Sequence, residues 1–583
     1  MKIGAVQLAA LIFVPKGYTI MGKVFRKLTL VSVGLFCCSN LSFANGPDLI
    51  LHNGTIITMD DTRPRATAIA ITGKNIVSVG DDHEVKPLRT DQTRMVNLKG
   101  KTVIPGLVDT HIHAIRGGQT YTFETYWYDE TTLANALLKL QAAVHADESG
   151  EWIAVVGSWL PEQFDEKRAP TVAELTEISP DKAAYVQYLY DYALVNAKGI
   201  EVLQLNEERP DVPQGIVIER DDEGRATGKL TGNIGAFNAL FSAISPQDVT
   251  RKQNSLAAFF KALNSAGVTG FIDPSAGSPQ SYEALFALER QGKLNIRAGY
   301  RIPASSPGDE VQWFENILAF RQPHYEEGMI SFLGIGESIV TAMNDGVQMG
   351  PGFRSPPEAK DALKMIAISA AARHVPLEIH AYTDDAARAI LDVFEEVNIT
   401  HPLKDLRWAI AHLNTGSEET LDRMKKLGLS FTVQMGPYFE GPAILEANGA
   451  EVTAKSPPTR AASDRGILVA GGTDSTRIGV FGVWQAIEYH VTGRSLGGVI
   501  QKPQDQLLTR EEALRAYTRN AAWIGFAEKS RGTLTEGKLA DLAVLDKPFL
   551  TIPSDEIDSV RSVLTIVDGR VVHDDSLIPE LDE

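Results

Sequence analysis

Two textures of hydrophobic patterning divide the chain. Residues 47–102 and the stretch after 531 carry short runs in which apolar and polar positions alternate. The first holds DLILHNGTIITM, AIAITGKNIVSVG and TRMVNLKGKTVIPG, and the second GTLTEGKLADLAVLD and SVLTIVDGRVVHD. Gly54, Gly73 and Gly100 punctuate the first set, as turns between strands require. The middle is different. Apolar or β-branched runs fall at 103–110, 268–273, 294–300, 330–337, 375–380, 407–412, 429–434 and 467–474. Helix-period segments separate several of them, at 280–292, 358–374, 384–397 and 417–427. Eight strand–helix repeats predict an α/β fold of the (β/α)8 TIM-barrel kind. The β segments at opposite ends predict one small β-sandwich built from both termini.

One gap breaks the alternation. Residues 115–267 are far too long for a single crossover. They hold strands of their own, WIAVVGSW and AAYVQYLY, and a hairpin, GIVIERDDEGRATGKL. The pattern predicts an inserted domain after the first barrel strand, with a helix at 247–266 leading back. The expected division is a β-sandwich of 45–102 with 531–583, a barrel of 103–114 with 241–530, and an insertion of 115–240.

The N-terminus reads as an address label. Residues 1–44 contain no Asp or Glu but hold Lys2, Lys16, Lys23, Arg26 and Lys27. From Met21 a basic segment leads into the apolar run Leu28–Cys38 and a small-x-small ending at Ser42-Phe43-Ala44. That is the layout of a signal peptide, with Met21 the better start. The run is shorter than the roughly 20 residues a spanning helix needs. The expected mature protein is exported, periplasmic or secreted, with no membrane contact after cleavage. A lipoprotein built on Cys37 or Cys38 fits poorly, because the residue before either cysteine is wrong for it. Both cysteines of the chain lie in this segment, so the mature protein has no disulfide and no thiolate metal site. Any metal must be held by His and carboxylate.

Acidic residues outnumber basic ones 74 to 56, a net charge of −18. That argues against nucleic acid or an anionic membrane as partner. Walker and Rossmann fingerprints are absent too. The informative residues stand where the apolar runs end, since active groups of barrels collect at the C-terminal ends of strands. The first run gives way to Asp109, His111 and His113, and His-x-His on a strand puts both rings on one side. The fourth ends in Glu337, the fifth in His380, the sixth in His412 and the eighth in Asp474. A lone His-x-His is most often fortuitous, and Asp474 after Gly471-Gly472-Thr473 suits an Asx turn. Yet the chain has only 12 His, and four of them close three predicted strands. Imidazole with carboxylate suits a divalent metal, zinc first, with Mn²⁺ or Fe²⁺ as alternatives. Bound metal lowers the pKa of water to about 7. Asp474 beside that water would take its proton and pass it on.

The string VIPGLVDTHIHA, with DLILHNGTIITMD, GSWLPEQF, TGKL, GVTGFID and the late GKLADLAVLD, resembles the amidohydrolase superfamily. Within it the chain is similar to the amidohydrolase-3 group, which includes YtcJ-like proteins and N-substituted formamide deformylases. The resemblance spans nearly all of 47–573. It implies a barrel carrying a β-sandwich from both termini. It implies His111, His113, His380 and His412 as metal ligands and Asp474 as both ligand and proton shuttle. At the fourth strand many relatives have a carboxylated Lys, where this chain has Glu337. That carboxylate either bridges two ions or marks a single-metal site. Relatives often have Glu before the sixth-strand His, where this chain reads IAHL, and His at the position of Asp191.

Five further residues are substrate-contact candidates: Trp159, Tyr190, Asp191, Gln434 at the end of the seventh strand, and Arg477 as anchor for a substrate carboxylate. Asn344-Asp345-Gly346 reads most simply as a turn, with substrate contact the alternative given its place after the fourth strand, and Glu488 and His490 read as structural. The expected activity is hydrolysis of an amide, formamide or cyclic amide C–N bond in a small molecule. Asp474 and His412 are the catalytic pair, and one or two ions the cofactor. Deamination or ester hydrolysis by the same centre is the alternative. A non-catalytic periplasmic binding protein is the distant one. A homodimer is compatible with all three.

Overall fold

The computed structural model describes residues 46–578, apart from 147–149, 151, 276–278 and 321–327. The segment read above as a signal peptide, with its two cysteines, lies outside the described residues.

Eight parallel strands form the centre: Leu107–Asp109, Val268–Asp273, Arg297–Ile302, Ile330–Ile335, Glu378–Ala381, Ala409–His412, Ser430–Val433 and Val469–Gly471. They pair in chain order as two four-stranded sheets, the first four and the last four. At one seam Ile335 bridges Leu377 in parallel register, and at the other Thr110 N donates to Gly471 O at 3.0 Å. With helices packed outside, this is a TIM-barrel-like α/β arrangement. It is two half-sheets that touch at both edges, where the sequence predicted one cylinder.

The helices form for local reasons. Glu418–Leu427 starts at Ser417, whose side chain accepts from Thr420 N, and ends at Gly428 in the left-handed region, φ 73°. Glu418 and Glu419 sit in its first turn and Lys425 and Lys426 in its last, matching the helix dipole. Its apolar face, Leu421, Met424 and Leu427, joins Ile390, Phe394, Ile410, Phe431 and Val469 in one buried cluster. That cluster holds the last four strands rigid beneath their C-terminal ends.

The run 103–110, expected to be one strand, is two. Thr102–Pro105 pairs antiparallel with Leu542–Leu545 from the far end of the chain and parallel with Thr55–Ile57. After Gly106 the chain turns into the first parallel strand. A Cβ on Gly106 would lie 2.1 Å from Thr269 Oγ1, so only glycine lets the backbone pass. Strands from both ends thus share a six-stranded sheet. Beside it a four-stranded sheet contributes Leu51, Ile69 and Val96 to a buried cluster with Val103, Leu542, Val544 and Ile566. Residues 115–267 hold a separate five-stranded sheet that includes Trp152–Val156, Ala183–Tyr188 and the hairpin Val217–Arg220 with Ala226–Thr231. Helix Val249–Ser265 leads from it to the second parallel strand. No described helix is long and apolar enough to cross a membrane.

Candidate metal centre

The loops at the C-terminal strand ends are pinned to one another before any ligand is considered. Asp109 is fully buried and accepts from His111 N and Thr473 N, each at 3.1 Å, and from Thr473 Oγ1 at 2.6 Å. It clamps the end of the first strand to that of the eighth. Asp474 N then donates to His111 O at 2.8 Å. His412 and Asp474 both have left-handed backbones, φ 70° and 57°, which costs free energy for residues with a Cβ. At His412 the conformation is held by its own N–H donating to Gln434 Oε1 at 2.6 Å.

These constraints bring five predicted side chains together around a sixth, Glu337. His412 Nε2 is 3.1 Å from its Oε2, His380 Nδ1 3.3 Å and His111 Nε2 3.4 Å, and His113 Nε2 is 3.4 Å from Oε1. Asp474 closes the other side, 3.3 Å from His113 Nε2 and 3.8 Å from His111 Nε2. Ligand atoms of His111, Glu337 and His412 lie within 4.8 Å of one another, as do those of His111, His113 and Asp474. His380 stands at the edge of this cluster.

The outer ring nitrogens say which lone pairs face inward. His111 Nδ1 lies 2.8 Å from Glu378 Oε1, His113 Nδ1 3.3 Å from Ser275 O, and His380 Nε2 2.8 Å from Gly346 O. Carboxylates and carbonyls only accept, so each of these outer nitrogens carries a hydrogen, which leaves the inner nitrogen as the one a cation would take once the proton facing Glu337 has left. Second partners of this kind fix ligand tautomers in metal sites. His111 Nε2 and His412 Nδ1 are buried without any hydrogen bond. This donor set fits a divalent cation. Burial alone would raise the Glu337 carboxyl, but the imidazoles, His111 foremost, hold it well below its ordinary value. Burial would lower His111 and His380, yet the carboxylates raise both, His380 to about 10. Burial and the neighbouring His380 push His412 down to about 4, so it stays neutral. A cation competes for the same lone pairs, so binding it releases protons.

Two residues of this neighbourhood, Glu378 and Glu440, were not singled out from the sequence, and a third, Asp345, has a role that its turn reading did not give. Glu378 is fully buried, orients His111, and lies 3.7 Å from the buried Arg301. Its signal was available: Glu378 and His380 are two apart on one strand and so share a face. Asp345, read as part of a turn, accepts from Tyr382 N, Thr383 N and Thr383 Oγ1 and sits 3.2 Å from His380 Nε2. Glu440 lies in helix Gly436–Thr453, with a buried Oε2 that has no partner and a carboxyl pushed well up by burial. Nothing in the local sequence marks it.

A cavity of about 230 Å³ opens over the cluster. Its wall includes His113, Glu337, His380, His412 and Asp474, together with Tyr190, Asn344, Tyr382 and Arg116. Of the five predicted substrate contacts, Tyr190 alone is on this wall. Trp159 is wholly buried among Trp127, Phe164 and Tyr188, with its Nε1 donating to Gln187 O at 2.9 Å. Asp191 is exposed in the turn between the paired strands Ala183–Tyr188 and Tyr192–Val195. Gln434 is spent on His412 N, although its Nε2 is buried without a partner. Arg477 is buried and paired with Glu124 at 3.3 Å, its guanidinium stacked over Phe241 at 4.5 Å, so it is not available to a substrate carboxylate. The string Gly493-Arg494-Ser495-Leu496-Gly497 has the spacing of a nucleophile elbow, but it follows the helix Val483–Thr492 instead of joining a strand to a helix.

Comparison with known proteins agrees with this geometry. A family model described as the amidohydrolase family matches residues 94–573. The YtcJ protein of Bacillus subtilis is 23% identical over 546 residues, covering 90% of this chain and 99% of that one. The N-substituted formamide deformylase of Arthrobacter pascens is 24% identical over 540 residues, covering 90% and 97%. In fold, the chain is similar to an uncharacterized metal-dependent hydrolase of Pyrococcus horikoshii. The TM-score is 0.63 at 21% identity, covering 87% of this chain and 99% of that one. The chain belongs to the amidohydrolase family and is a hydrolytic enzyme.

Proposed function

We propose that this member of the amidohydrolase family hydrolyses a C–N bond other than a peptide bond, in an amide, formamide or cyclic amide. The observation that carries the reading is the convergence of four imidazole rings on Glu337 beneath an open cavity, with Asp474 beside them. His111, His113, His380, His412, Glu337 and Asp474 would hold the cation, with zinc the first choice for this N and O donor set. When bound, it supplies acidified water and a polarised carbonyl.

The chain's own groups do the rest. Asp474 faces the cavity and takes a proton from water at a carboxylate oxygen, then delivers it to the nitrogen as the C–N bond breaks. His412 presents a neutral ring to the same space and steadies negative charge on the carbonyl oxygen. Tyr190, 3.4 Å from Asn238 Oδ1 through its hydroxyl, borders the substrate. The two terminal sheets act as one β-sandwich supporting the barrel, residues 115–240 as an insertion, and residues 1–44 as a signal for export to the periplasm or beyond.

The test is elemental analysis of purified protein together with a screen of N-acyl, formamide, lactam and ester substrates, with and without chelator. Chelator-sensitive release of amine is the expected result. Turnover confined to esters or to ring deamination would transfer the protein to a sister reaction. Protein that binds no metal would end the proposal.

A further inference from the structure

Building on the hydrolase reading, we propose that the substrate carries a carboxylate and that Arg116 is the residue that receives it. Arg116 lies in the short helix Ala114–Gly118 that begins directly after His113. It lines the same cavity as His113, Ser338, Asn344 and Asp474. Among the described residues it makes no hydrogen bond and no ion pair, and its Nε is buried without a partner. Arg297 is paired with Asp541 and Asp568 and Arg477 with Glu124, and Arg301 and Arg515, whose Nε atoms also lack a hydrogen-bond partner, each keep a carboxylate at 3.7 Å, which Arg116 does not. A guanidinium half withdrawn from water and left unpaired is costly unless something completes it.

The acids whose charge reaches Arg116 are already committed. Asp273 accepts from Ile115 N at 2.8 Å and Ser275 N at 2.9 Å. Glu124 accepts from Thr120 Oγ1 and pairs with Arg477. Neither lies within ion-pair distance of Arg116. The free planar fork matches a carboxylate in two-point geometry. Its position beside His113 places that carboxylate next to the cluster around Glu337, so it belongs to the acyl or amine half of the scissile amide. Glu337 and Asp474 would otherwise repel such a substrate, and a cation at the rim offsets them. Arg477 was the residue expected to do this from the sequence, and the structure has it paired elsewhere.

The experiment uses the metal-loaded enzyme with N-formylalanine and its neutral counterpart N-formylalaninamide. The ratio of kcat/KM for acid over amide should favour the acid and fall about 100-fold in Arg116→Met, with most of the change in KM. Arg116→Lys should fall less, since it keeps the charge but loses the fork. Thermal unfolding and metal content of each variant report whether the fold and the centre survive. Should Arg116→Met fail to fold, Arg116→Lys and Arg116→Gln carry the comparison. A ratio within threefold of wild type in the variants, or a wild-type preference for the amide, overturns the proposal. If neither compound is turned over, calorimetric binding decides. Acid binding that Arg116→Met weakens at least tenfold supports the anion site while the hydrolysis reading fails, and equal or absent binding of both compounds overturns the anion site.

Discussion

The two ends of the parallel strands both bury charge, and they do it in opposite ways. At the N-terminal end, Arg297 opens the third strand and is fully engaged. Its Nε donates to Asp541 at 2.6 Å, and its Nη2 to Asp541 at 3.2 Å and Asp568 at 2.8 Å. Asp568 N closes the set on Asp541 at 2.8 Å. At the C-terminal end, the imidazoles and carboxylates crowd inward, and His111 Nε2 and His412 Nδ1 are left without hydrogen bonds. Buried charge that is fully paired holds elements together, and this cluster ties the third strand to the C-terminal sheet. Buried charge with lone pairs aimed at a common point is built for something else to complete it. In barrels the first kind belongs at the bottom and the second at the top.

The sharpest way to break this contrast is at the top. Asp474→Asn keeps the shape but loses the proton acceptor, and at saturating metal kcat should fall about 10³-fold while thermal unfolding changes little. Unchanged turnover would remove Asp474 from the mechanism. At the bottom, Asp541→Ala removes two of the buried Arg297's hydrogen bonds and leaves Asp568 as its one carboxylate, and should cost about 1–3 kcal/mol. The expected readout is a lowered unfolding midpoint with kcat per folded molecule unaltered. Loss of turnover without loss of stability would mean the two ends are not separable. Glu378→Gln probes the boundary between them. It weakens the hold on His111, so metal affinity measured by chelator competition should drop about 10–100-fold, with a smaller change in melting.

The smallest effect concerns a carboxyl of intermediate kind. Glu488 is pushed up to about 7 by burial, opposed by a single backbone donor, Asp558 N at 2.9 Å. Its folded-state pKa is above the ordinary 4.5, so the fold favours the protonated form. The stability this gives is complete below about 4.5 and is lost as pH rises through about 7. Glu488→Gln should flatten the stability profile across that window. A profile identical to wild type would show that this carboxyl is solvated after all.

The fold was largely legible because its signals are local. Runs such as 268–273 and 330–337 end within a few residues of the observed strands, and the ligand set stands where apolar runs stop. What was not legible depends on partners remote in the chain. Trp159 has the composition of a pocket residue, but Trp127 and Phe164 close over it. Arg477 suited a substrate carboxylate or a surface salt bridge equally, and the structure buries it against Glu124, 353 positions away in the chain. Asp345 carries a turn signature that hides its bonds to Thr383 and His380. The split at Gly106 is invisible in a run of continuous hydrophobicity, since it is set by Thr269 approaching from another strand.

That split has a wider reach. Through Gly106 the segment bearing His111 and His113 is the direct extension of Thr102–Pro105, whose flanking partner is Leu542–Leu545. A protease nick or a bulky fusion that peels away the final strands would therefore tug on His111 and His113 from more than four hundred positions along the polypeptide. Such damaged molecules should fall silent while most of their mass is still folded.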